Sequence, residues 1–250
     1  MIGIIDSGYG GLSVVSEIIR QGKKIPFVYL GDNARNPYGI KTKAEILKNT
    51  QEMIDYLLVN YDIKILLIAC NTICAAALPE LYKIYPQLHI EAITNYGSAV
   101  ARMSFQQYVT VLATTFTIDS NLYQNLIHTY DEKIHVQQLN AQEFVTMVET
   151  GKVDTMELQK VLRKINPQTD TLILGCTHFP FLYKYIRELV ADSIQIIDPA
   201  ISFVASCDYE PIQEWQSNSL YLTTGDLQAF TNFIETYDLE KELPIKQIKL

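Results

Sequence analysis

With 250 residues, 48% of them hydrophobic and 19% charged, the chain is long enough to bury roughly 70–75% of its unfolded surface and too apolar to stay disordered. Its formal net charge of −8 argues against a nucleic-acid or anionic-membrane surface, because no Lys/Arg cluster offsets the acidic total. Four cysteines without close spacing exclude a disulfide scaffold and are expected to be reduced thiols.

The first element is "IGIID" at 2–6. It lacks a basic leader and turns polar at residue 6, so it does not read as a signal peptide, and a cytoplasmic location is expected. The "DSGYGGL" that continues it fails the dinucleotide fingerprint, since Ser13 stands where the third glycine belongs. A tight turn presenting Asp6 and Ser7 at a strand's end fits better. Asp6 there can accept a hydrogen bond from an ammonium or a thiol, or can cap a helix.

"FVYLGD" at 27–32 is the next strand, and Pro37-Tyr38-Gly39 forms a turn whose backbone can hold a small ligand. Thr42 with Glu45 signals a capping box, after which Ile46, Met53, Ile54, Leu57 and Leu58 share one helical face. "IKILLIAC" at 63–70 ends on Cys70 and leads into Asn71 and Thr72. The apolar tract from Ile65 to Pro79 is interrupted and short of the ~20 residues a membrane span needs. "HIEAI" at 89–93, "YVTVLAT" at 108–114 and "KIHVQQL" at 133–139 follow. Asp154 with Glu157 repeats the helix-start signal, and Asn166-Pro167 marks a turn before "DTLILGC" at 170–176, which runs into Thr177 and His178. "SIQIID" at 193–198 and "NSLYLTT" at 218–224 complete the series. Continuous apolar strands alternating with helices predict an α/β protein with mainly parallel sheets.

Cys176 lies 106 residues after Cys70, and "VLATTFTIDS" lies against "IIDSGYGGLS" at an offset of 108, matching Thr114 with Asp6. Two similar, pseudo-twofold α/β domains are therefore expected, residues 1–93 with 203–250 and residues 94–202, with the site in the cleft between them. A thiol between a strand and a helix start meets unpaired N–H groups and the positive end of a dipole, which predicts a lowered pKa. Asn71, Thr72, Thr177 and His178 can orient a carboxylate against the same N–H groups. Three chemistries use paired thiols. A redox pair favours Cys-x-x-Cys, which is absent; a zinc site built from Cys70, Cys74, Cys176 and His178 lacks the usual ligand spacings. Proton transfer by two opposed bases, one on each face of a carbon, needs only that the thiols face one cleft. Cys74 and Cys207 are expected to be core residues, and His89, His128 and His135 receive no role.

Together "IGIIDSGYGGLSV", "YLGDNARNPYG", "LLIACNT", "VTVLATTFT", "FVTMVETG", "LILGCTHFP" and "YLTTGD" resemble the glutamate racemase family, in that family's order, over residues 2 to about 236. The resemblance implies a cofactor-independent, metal-free isomerase that interconverts L- and D-glutamate for peptidoglycan, a homodimer, with Cys70 and Cys176 as acid/base thiols. It implies Asp6, His178 and Glu149 as their supports, and substrate contacts from Asp6, Ser7, Pro37, Tyr38, Gly39, Asn71, Thr72, Thr114, Thr117, Thr177 and His178. Ile73, Cys74, Asn95, Tyr96, Ala141, Gln142 and Phe179 depart from the family's usual residues. The alternatives are a sister racemase acting on aspartate or a hydantoin, and an amino-acid-binding protein without catalysis.

Overall fold

A computed structural model describes residues 1–207 and 214–250. Ten strands are found there: β1 (Ile2–Asp6), β2 (Phe27–Gly31), β3 (Ile65–Ile68), β4 (His89–Ala92), β5 (Tyr108–Ala113), β6 (His135–Asn140), β7 (Thr171–Gly175), β8 (Gln195–Ile197), β9 (Leu220–Thr223) and β10 (Ile245–Gln247). The helices are α1 (Leu12–Arg20), α2 (Lys43–Asn60), α3 (Asn71–Ile84), α4 (Ile93–Val100), α5 (Thr115–Asp119), α6 (Leu122–Tyr130), α7 (Gln142–Thr150), α8 (Thr155–Leu162), α9 (Tyr183–Leu189), α10 (Pro199–Ser206) and α11 (Leu227–Thr236).

The strands form two sheets, one in the order β10-β9-β2-β1-β3-β4 and one in the order β6-β5-β7-β8, and every pairing is parallel. Every residue of the inner strands β1 and β7 is buried, as continuous apolar runs require when helices cover both faces. The core of the larger sheet is built on Ile4, Ile5, Leu66, Leu67 and Ile68, all fully buried. Edge strand β6 is only half-buried, and the side-chain amides of its Gln137 and Gln138 donate to the Lys164 carbonyl and Asn121 Oδ1.

Four strands in each sheet share one order, with β2-β1-β3-β4 answering β6-β5-β7-β8. The register corrects the alignment of the two halves by one residue. Ile5 pairs with Ile68, two residues before Cys70, and Leu112 pairs with Leu174, two residues before Cys176. Ala113 therefore occupies the place of Asp6, and Thr114 the place of Ser7 rather than that of Asp6.

Local signals explain the helix starts. Thr42 and Glu45 close a full capping box on α2. Asp154 caps α8 through the N–H groups of Met156 and Glu157, but the Glu157 carboxylate turns to Lys160 instead of back to the cap. α10 runs through residues 202 and 203, the expected boundary between the second domain and the returning segment. No helix among the described residues is long and apolar enough to cross a membrane.

Candidate active site

β3 and β7 are inner strands of their sheets, and their C-terminal ends deliver Cys70 and Cys176 to the walls of one narrow cavity. From the first half Ser7, Pro37, Tyr38, Gly39, Asn71 and Thr72 also wall it; from the second come Thr114, Thr177 and His178. Asn36, Gln142 and Val145 complete the wall; Asn36 and Val145 were not expected there, whereas Gln142 stood out in the sequence as a departure from the family at a position beside the cleft. Asn36 sits next to the expected turn, whereas Val145 carries no signal that separates it from the apolar face of α7. Both cysteines are buried, Cys70 4% and Cys176 7% exposed.

Asp6, Thr117 and Glu149 stand behind that wall. Asp6 is fully buried, accepts the Gly8 N–H at 2.9 Å, and accepts the Thr177 hydroxyl at 3.0 Å across the halves. It does not cap α1, whose first residue follows Gly11. Thr117 bonds Thr114 at 3.0 Å, and Thr114 bonds Thr72 at 2.9 Å, again across the halves. The Tyr38 hydroxyl donates to Asp32, so the cavity meets this residue's ring and backbone rather than its O–H.

The thiols are supported unequally. Cys70 has the Ser7 hydroxyl at 3.4 Å. Cys176 has His178 Nδ1 at 3.7 Å, and His178 Nε2 lies 2.5 Å from Glu149 Oε1. Gly10 makes this packing possible, because a Cβ there would collide with the His178 ring and the Thr177 hydroxyl.

Electrostatics corrects one expectation. The Cys70 thiol is pushed up, not down: burial dominates, nearby Asp6 adds to it, and the Ser7 hydroxyl and Ile73 N–H only partly oppose it. The helix start is present, since Cys70 stands at the N-cap of α3, but a buried thiolate loses more solvation than those N–H groups return. Cys176 is followed by a short 3-10 turn, Phe179–Leu182, and not directly by an α-helix. Burial raises Asp6 to about 6, against the lowering influence of His178 and its hydrogen bonds. Burial disfavours charge on His178, yet its bonds to Cys176 and Glu149 outweigh this and hold its pKa well above the ordinary value.

Among the described residues no Lys or Arg walls the cavity, and no group of three or more His, Cys, Asp or Glu is placed to hold a metal ion. Cys74 lies in the core, 1% exposed, and Cys207 is buried with its thiol on the Phe203 carbonyl. His89, His128 and His135 lie outside the cavity.

The family profile described as Asp/Glu/Hydantoin racemase matches residues 2–207. A glutamate racemase of Bacillus cereus is 37% identical over 92% of this chain and 89% of its own length. The crystal structure of a glutamate racemase isoform from Bacillus anthracis superposes with a TM-score of 0.88 at 30% identity, covering 100% of this chain and 97% of that one. A glutamate racemase from Francisella tularensis, solved in complex with D-glutamate, superposes with a TM-score of 0.85 at 26% identity, covering 99% of this chain and 97% of that one. With two cysteine strands delivering their thiols to one cavity, and with this similarity along its whole length, the chain belongs to the Asp/Glu/Hydantoin racemase family, on its glutamate racemase branch.

Proposed function

We propose that the chain is a glutamate racemase that interconverts L- and D-glutamate with Cys70 and Cys176 as two proton carriers and without a cofactor, supplying D-glutamate for peptidoglycan. The observation that carries the reading is the placement of both thiols, at equivalent strand ends, on the walls of one cavity. Racemisation must take a proton from one face of Cα and return one to the other, and a weakly acidic C–H yields only to a base held in line with an acid waiting opposite.

The surrounding residues support the reading. A carboxylate finds donors in the N–H groups at the start of α3 and in the hydroxyls and amides of Ser7, Asn71, Thr72, Thr114 and Thr177. A buried Cys70 that keeps its proton is a ready donor, and the His178–Glu149 pair gives Cys176 a neighbour that can hold positive charge as a thiolate forms. After one turnover the two thiols have exchanged protonation states, which prepares the site for the opposite enantiomer. Asp6 acts through Thr177 and through the field it places on Cys70 and His178. On the same reading the two domains are residues 1–93 with 203–250 and residues 94–202, and the enzyme works in the cytoplasm as a homodimer.

Turnover in D₂O tests this. D-glutamate formed early from L-glutamate should carry deuterium at Cα, as should L-glutamate formed from D-glutamate, while Cys70→Ser and Cys176→Ser each lose steady-state turnover. Protium in the early product would mean one base serving both faces and would overturn the two-thiol reading. Turnover of L-aspartate or a hydantoin in place of glutamate would move the chain to a sister activity.

A further inference from the structure

The amide of Asn71 is 2% exposed and its two ends have different fates. Oδ1 accepts the hydroxyl of Tyr123 at 2.7 Å, while Nδ2 is buried without a hydrogen-bond partner among the described residues, on a side chain that walls the cavity. An orphaned buried N–H is costly unless something fills it, and this one is free to donate to a bound group. Tyr123 reaches Asn71 from α6 of the opposite half, so the bond exists only when the halves are together.

The fold makes room for that reach. Tyr123 is fully buried, and a Cβ on Gly97 would stand 2.9 Å from its hydroxyl oxygen, while one on Gly175 would stand 3.1 Å from its ring. Burial also holds the Tyr123 pKa well above the usual tyrosine value, so its hydroxyl is a donor at every working pH. If the amide turned over, the Tyr123 O–H would lose its acceptor and Oδ1 would face the cavity, where it repels a carboxylate.

We propose that Tyr123 is a positioning residue: by donating to Asn71 Oδ1 on closure, it fixes the amide so that Nδ2 faces the cavity as a donor for a substrate carboxylate. The inference rests on the proposed activity for the identity of that substrate. It adds a residue from outside the cavity wall that sets affinity without touching substrate.

Calorimetric binding of D-glutamate, with KM and kcat in both directions, tests it on Tyr123→Phe, Asn71→Ala and the double variant. Phenylalanine keeps the ring in its slot. Loss of an oriented donor to a carboxylate should weaken binding and raise KM about tenfold in Tyr123→Phe, with kcat changed less than about threefold. Adding Tyr123→Phe to Asn71→Ala should then cost almost nothing more, because both remove the same interaction. Wild-type affinity in Tyr123→Phe, or an equal further loss in the Asn71→Ala background, would overturn the proposal and leave Tyr123 a packing residue. Failure of the wild-type protein to bind glutamate at all would instead strike the proposed activity.

Discussion

Asp6 shows how a single residue can be costly to the fold and useful to the site. Its folded pKa of about 6 lies above the ordinary carboxyl value of 3.8, so between these limits the folded protein binds more protons than the unfolded chain. Stability contributed by the protonated form is fully present below about 4 and is lost as pH rises through about 6. Above that the fold carries a buried carboxylate, at a cost of roughly 1–3 kcal/mol. Asp6→Asn is therefore expected to raise the melting temperature at pH 7 while lowering kcat far more than it raises KM. Wild-type activity should fall on acidification through about pH 6 as Asp6 takes up its proton, and that fall should disappear in this variant. Thermal unfolding and pH–rate profiles check both, and a melting temperature unchanged or lowered at pH 7 would show that the carboxylate stabilises the fold. The residue's place at a strand's end was legible in the sequence. Its partner was not: Thr177 lies 171 residues away, and only the closure of the halves brings the two together.

At the scale of elements, all nine anticipated strands are present, and inner strands such as β1 and β7 are the plainest, because burial on both faces favours a continuous apolar run. β10 escaped notice since "IKQ" is short, half polar and at a sheet edge, where packing makes few demands on sequence. The elevated Cys70 pKa escaped for a different reason: a helix start is visible in the sequence, whereas the depth of burial depends on the other half of the molecule. The β1–α1 turn illustrates the same dependence. Gly10 is one of several glycines in "SGYGG", but in the fold it is the position that abuts His178 and Thr177. Gly10→Ala should displace His178 from Cys176 and lower kcat by more than about tenfold, since a misplacement near 1 Å at a reacting group can cost two orders of magnitude. Far-UV circular dichroism should stay unchanged. Unaltered kinetics would mean the imidazole tolerates displacement.

Across the whole molecule, the halves meet over the cavity through Thr72–Thr114, Asp6–Thr177 and Asn71–Tyr123, and on the proposed activity glutamate has to enter between them. Iodoacetamide should accordingly label Cys70 and Cys176 faster than Cys74, which lies in a core that opens only on unfolding. D-glutamate should slow the first two and leave Cys74 unaffected, as peptide mass mapping would show. Equal labelling of all three would mean that access comes through global unfolding. The unequal support of the two thiols has a further consequence, set by thermodynamics. Asp6 is answered in the other half by Ala113, and the His178–Glu149 pair has no mirror image among the described residues, so on the proposed two-thiol reading the two half-reactions face different barriers. L- and D-glutamate have identical free energies in water, which obliges kcat/KM to be the same in both directions at every pH. The asymmetry of the site can therefore appear only in how each direction divides that common ratio between kcat and KM: whichever enantiomer is held more tightly must also be turned over more slowly, by the same factor.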